Sequence, residues 1–359
     1  MAGYLGNEMN TLLDFLKNFF RHSAPAASGG TITSIPADNN TEPARIVTAR
    51  VLLVIYDPIM DPVSGIKLSQ KNGWNRVDSL VNEFIIDIRA LSAGLARYQI
   101  VQRIELNEFP ELADGFRYDA VTYSNVHNRT AAPHKPMMAN YQKILTGLNI
   151  LPHIASRDID EVWVFNFPYG GFYESVMGGA GAFWCNSKPL VETAGCQRKF
   201  IIMGFSYERG IGEMLEAFAH RAESLVAKAF GCQEFVAWAY QPNRIPVTVG
   251  ADPNPFQRYL CFDQISPGQS GLGTIHYAPN SVLEYEWDNP RQVMSSCYDW
   301  FNFPNFQGDI RQVGPNEWGS TLRSHHEWWL NHLPRVAGRS KGIANNWWQY
   351  IMDPNLVLL

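Results

Sequence analysis

The stretch "IIMGFSYERGIGEMLEAFAHRAESLVAKAFG" (Ile201–Gly231) decides how this chain is read. Its first residues form a short, nearly continuous apolar run, and its second half repeats apolar residues at helical spacing. The polar turn "SYERG" (Ser206–Gly210) separates the two. A brief apolar run bounded by turn residues suits a buried strand, and the longer periodic run suits an amphipathic helix.

The same alternation recurs upstream. "RIVTARVLLVIYDP" (45–58) reads as a buried strand, stopped by Asp57 and Pro58. "WNRVDSLVNEFIIDIRALSAG" (74–94) has helical spacing and a glycine stop, and "RYQIVQRIELNEFP" (97–110) reads as a second strand. "ANYQKILTGLNI" (139–150) reads as a helix, "DEVWVFNFP" (160–168) as a third strand and "RKFIIMGF" (198–205) as a fourth. Apolar strands alternating with helices predict a three-layer α/β domain over residues 45–231, with a mainly parallel, Rossmann-like sheet covered by helices on both faces. Residues 232–359 are rich in Pro, Gly, Asn and Trp, and read as an aromatic, loop-rich extension packed on that core.

Ahead of the core, Met9, Leu12, Leu13, Leu16, Phe19 and Phe20 share one face of a helix within residues 1–22. A Ser-, Ala-, Gly- and Pro-rich linker covers 23–44. Such a helix suits docking on the body or on a second copy, which would make a homo-oligomer. It is too short and too charged to span a bilayer, and nothing else suggests a transmembrane segment.

Ligands of open α/β sheets sit beyond the carboxyl ends of the strands. That rule selects Asp57 and Asp61 after the first strand, then Tyr169, Gly170, Gly171, Tyr173 and Glu174 after the third. After the fourth it selects Ser206, Tyr207, Glu208 and Arg209. On the following helix, a turn of 100° per residue puts Leu215, Phe218, Ala222, Leu225, Val226 and Ala229 on one side. Glu213, Glu216, His220 and Glu223 fall on the other. His220-x-x-Glu223 aims an imidazole and a carboxylate the same way, which suits zinc or a similar divalent ion. His276 in "GTIHYAPN" completes the expected ligand set, ahead of His325 and His326. The bland reading of this face is a solvated one, with Glu216 and His220 paired one turn apart.

The reading that follows is a metal-dependent hydrolase acting on a peptide or glycan. His220, Glu223 and His276 hold the ion, Glu208 or Glu216 is the general base, and Arg209 meets a carboxylate or oxyanion. Tyr169, Tyr173, Tyr207 and Asp57 line the substrate. One rival is a glycosidase pairing Glu174 with Glu208 or Glu216, its sugar subsites made by the C-terminal tryptophans. Another places Ser206 in "GFSYE" as the nucleophile of a G-x-S-x-G elbow, with His276 or His332 and Asp263 or Asp299; Glu208 stands where the second glycine belongs. A third is a non-catalytic binding or assembly module.

Composition narrows these classes. A net charge of -5 over 359 residues gives no basic footprint for nucleic acid. No phosphate-cradling G-x-x-x-x-G-K-[ST] occurs. Five cysteines without a CxxC pair exclude the common zinc-finger spacings; a Cys185–Cys196 disulfide fits the loop between them, and Cys261–Cys297 is a second pairing. The odd count fits five reduced thiols equally well and leaves the compartment open, with an extracytoplasmic one slightly favoured.

Overall fold

A computed structural model describes residues 42–240 and 252–357. The expected helix over 1–22, and all of the linker except residues 42–44, lie outside the described residues.

The centre is a five-stranded sheet. Its strands are β1 (Val47–Tyr56), β2 (Ala96–Leu106), β3 (Glu161–Asn166), β4 (Ser175–Gly178) and β5 (Phe200–Ser206), in the spatial order β2-β1-β3-β5-β4. The first four in that order run parallel, and β4 pairs antiparallel with β5, Ser175 opposite Met203. Every residue from Val51 to Tyr56 and from Glu161 to Asn166 is buried. Consecutive side chains point to opposite faces, so both faces of these strands are covered, as their largely apolar sequences predict.

The flanking helices include α1 (Val77–Leu91), α2 (Ile211–Ala229), α3 (Leu322–Asn331) and α4 (Trp348–Met352). Helix α2 packs against α1, α3, α4 and the edge strand β4. No residue of α2 is exposed, so the face carrying Glu216, His220 and Glu223 is not the solvated one. Arg221 is wholly buried. Its Nη2 lies 2.8 Å from Glu161 Oε2, and its Nε donates to the Ile351 carbonyl at 3.0 Å. Trp163 Nε1 donates to the other Glu161 oxygen at 2.6 Å. Burial works against the Arg221 charge, but Glu161 and Tyr98 outweigh it and hold the guanidinium pKa above its usual value.

The C-terminal tryptophans close the core. Trp329, Trp347 and Trp348 are fully buried, and Tyr259 meets Trp300, Trp329 and Trp347 with ring centroids 4.9–5.7 Å apart. Helix α4 packs on β1, β2 and α2, tying the chain's end to its first strands. The expectation that this tail supplies sugar-stacking platforms is corrected for these rings: they interlock with one another.

The disulfides are corrected too. All five cysteines are free and buried. Cys185 Sγ faces Ser175 Oγ at 3.6 Å and Cys261 Sγ faces the Gln257 carbonyl at 3.2 Å, so neither is directed at the expected cysteine. Among the described residues, no helix is long and apolar enough to cross a membrane.

Candidate metal centre

The turn between β5 and α2 fixes where the helix starts. Gly210 donates its backbone N–H to Glu213 Oε2 at 3.1 Å, so Glu213 closes the first turn of α2. One and two turns further on, Glu216 and His220 face the segment 270–287.

That segment is shaped by Gly273. It has φ +82°, and a Cβ there would lie 1.9 Å from the Tyr277 carbonyl oxygen, so the tight turn excludes a side chain. Thr274 Oγ1 accepts from the backbone N–H groups of His276 and Tyr277 at 3.3 and 3.2 Å. Ile275 donates its N–H to Glu223 Oε1 at 3.1 Å, which pins the turn to α2. His276 is thereby presented to the helix. Gly273→Ala should lower stability by about 1–3 kcal/mol through backbone strain. A thermal melt checks this, and an unshifted transition would refute the role given to the turn.

Four polar atoms converge at the centre. His220 Nε2 and His276 Nε2 are 3.0 Å apart, and Glu216 Oε1 is 3.1 Å from His276 Nε2. The Tyr285 hydroxyl lies 2.7 Å from both Glu216 Oε1 and His276 Nε2. Ligand atoms of Glu216, His220 and His276 all lie within 4.8 Å of one another. A nitrogen such as His276 Nε2 offers one proton or one lone pair, yet three polar atoms crowd it. Bonds of about 2.0–2.2 Å to a common cation would separate neighbouring donors by about 2.8–3.5 Å, close to the spacing observed.

A second layer orients the imidazoles. His220 Nδ1 is 3.1 Å from Glu223 Oε2, which also accepts from the Tyr240 hydroxyl at 2.6 Å. His276 Nδ1 faces Glu284 Oε1 at 3.7 Å. The hydrogen bond to Glu223 fixes the His220 tautomer and leaves its Nε2 facing inward, while the Glu284 carboxylate stands on the Nδ1 side of His276 beyond hydrogen-bonding distance. Both oxygens of Glu223 are thus engaged behind His220, whereas the sequence reading made Glu223 a ligand. Glu216, read as a general base, stands among the converging donors instead.

The charges follow this geometry. Burial drives the His276 imidazole down, but Glu216 and Glu284 prevail and raise it to about 9. Burial also opposes charge on His220, and Glu223 overcomes it, leaving that pKa raised. Burial pushes Glu216 up, yet His276 and His220 hold it well below the usual carboxylate range. Glu174, partly buried at the start of β4, is raised: burial leads, Glu216 adds, and His220, His276 and Arg209 oppose. Asn186 Nδ2 donates to Glu174 Oε2 at 2.8 Å. His220 keeps 11% of its side-chain surface exposed and Glu284 30%, whereas Glu216 and His276 are buried.

Other expected residues lie elsewhere or serve the fold. Glu208 is exposed. Tyr207 is fully buried and donates its hydroxyl to the Tyr56 carbonyl at 2.8 Å, and Asp57 accepts from Ser69 N and Oγ at 3.0 and 2.7 Å. Both tie the first strand's end to its surroundings. Tyr173 stacks on Tyr141 at 6.3 Å, and Tyr169 occupies a left-handed turn position after β3. Ser206 Oγ has no hydrogen-bond partner, so no Ser–His pair forms, and Asp299 instead accepts the backbone N–H groups of Gln307 and Gly308. His325 and His326 are buried behind Glu216, where burial lowers both; His325 stacks on Trp287 and His326 Nδ1 lies 3.1 Å from the Gly212 carbonyl.

Tyr240, Glu284 and Tyr285 were missed. They carry no helical or strand periodicity, and only the nearness of Glu284 and Tyr285 to His276 in sequence pointed to them. No protein-family model, curated protein or solved structure matches this chain.

Proposed function

We propose that this protein is a metal-dependent hydrolase whose divalent ion is held by His220 Nε2, His276 Nε2 and the Glu216 carboxylate. The single observation that carries the reading is the convergence of those three donors, each imidazole backed by a carboxylate. Two imidazoles and one carboxylate form a donor set suited to zinc and to neighbouring divalent ions. The ion supplies Lewis acidity and brings the pKa of a coordinated water toward neutrality.

Glu174 takes the role of general base. It is partly buried, held by Asn186 and within electrostatic reach of all three ligands. Arg209, which bears on Glu174, meets an anionic substrate group or the developing oxyanion. The buried tail tryptophans remove the argument for glycan stacking, which leaves a peptide or related amide as the substrate class.

The test is reconstitution. Protein stripped by chelator and reloaded with Zn(II) is expected to regain hydrolysis on a peptide panel. Glu174→Gln should lower turnover by about 10²–10⁴-fold with metal content unchanged. Metal binding without turnover on peptide, ester or glycan panels would instead support the non-catalytic binding module.

A further inference from the structure

We infer that Tyr285 is a fourth protein ligand, binding the ion through its phenolate oxygen. This deepens the metal-centre reading and rests on it.

The first support is position. The hydroxyl is 2.7 Å from Glu216 Oε1 and 2.7 Å from His276 Nε2. The His276–Glu216 and His276–His220 separations, at 3.1 and 3.0 Å, are of the same order. The phenol oxygen therefore takes its place among the donors as a neighbour of equal standing, whereas Glu223 and Glu284 stand behind the imidazoles.

Backbone conformation is an independent second support. Tyr285 has φ +61°, a left-handed conformation that bulky side chains rarely adopt. Such residues persist where surrounding structure holds them, and they cluster at functional sites. Here the holding contact comes from the site itself: the Tyr285 N–H donates to the His276 carbonyl at 2.9 Å. One residue thus anchors its backbone to a ligand while its side chain returns to that ligand's ring. The rings of His276 and Tyr285 lie 4.4 Å apart. Nearby Tyr240 sits on the outer side instead: its hydroxyl donates to Glu223 Oε2 and lies 3.4 Å from His220 Nδ1, not beside an inward-facing Nε2.

On coordination the phenolic O–H bond breaks, the oxygen–metal bond forms, and the proton passes to solvent. Two imidazoles, one carboxylate and one phenolate would then hold the ion. A hard anionic oxygen also widens the metals accepted, toward Cu(II) and Fe(III).

Phenolate bound to Cu(II) or Fe(III) gives an intense charge-transfer band in the visible, which makes the inference testable without a substrate. The chelator-stripped full chain, loaded with Cu(II), should show that band together with phenolate ring modes in resonance Raman. Tyr285→Phe should lose both and bind the ion more weakly than wild type. Tyr240→Phe should retain both, and this comparison with the wild type stands even if Tyr285→Phe fails to fold. One bound ion without the band in the wild type, or its persistence in Tyr285→Phe, or its loss in Tyr240→Phe, overturns the assignment of Tyr285 and leaves the three-donor centre intact. No bound ion at all overturns the centre and this inference together.

Discussion

Arg221→Met is expected to destabilise the protein by roughly 3–5 kcal/mol, because it leaves an uncompensated charge in the core. Glu161 is 2% exposed, and without the guanidinium its carboxylate keeps only neutral donors, the Trp163 indole and the Tyr98 hydroxyl. The Ile351 carbonyl loses its donor in the same step. Pairing the change with Glu161→Gln removes the stranded charge while preserving an acceptor for Trp163, so the double variant should recover a large part of the loss. Urea unfolding of the three proteins reads this directly. A single variant within about 1 kcal/mol of wild type would show that the pair is not the buried, mutually dependent unit described.

The second large effect concerns the metal. His276→Ala removes an inward-facing lone pair and should abolish stoichiometric binding, taking the content from about one ion per chain to near zero. Glu223→Gln removes only the carboxylate behind His220, and should retain the ion with about 10–100-fold weaker affinity. The two variants separate the site's layers: metal content, measured after dialysis at fixed free zinc, ought to differ between them. If Glu223→Gln lost the ion as completely as His276→Ala, Glu223 would be a ligand, as the helical spacing of His220 and Glu223 suggested.

That contrast shows what the sequence made legible. The strands at 45–58, 160–168 and 198–205 contain short apolar runs (51–56, 162–165 and 200–203) because both their faces are covered there, and the structure places strands within all three. Helix periodicity likewise located α1 and α2. Strand β4 carries no comparable signal, since "SVMG" has only four residues and follows a glycine-rich turn. Its antiparallel return along β5 carries Glu174 to the outer edge of the sheet, beside α2.

Within the site, helical spacing brought Glu216, His220 and Glu223 together but gave no depth. The order of layers depends on which atom of each side chain faces the 270–287 segment, and that segment is positioned by Gly273 and by Ile275 bonding to Glu223. The polar face also looked solvent-exposed by amphipathicity alone. It is covered because the aperiodic stretch around His276 and Tyr285 folds over it, a tertiary effect without local signature.

Anomalous diffraction from crystals of the zinc-loaded protein, collected on both sides of the zinc absorption edge, tests the central claim most directly. We predict one strong peak within bonding distance of His220 Nε2, His276 Nε2 and a Glu216 carboxylate oxygen. Crystals soaked in zinc that show no peak there, with those three side chains still hydrogen-bonded to one another, would contradict it.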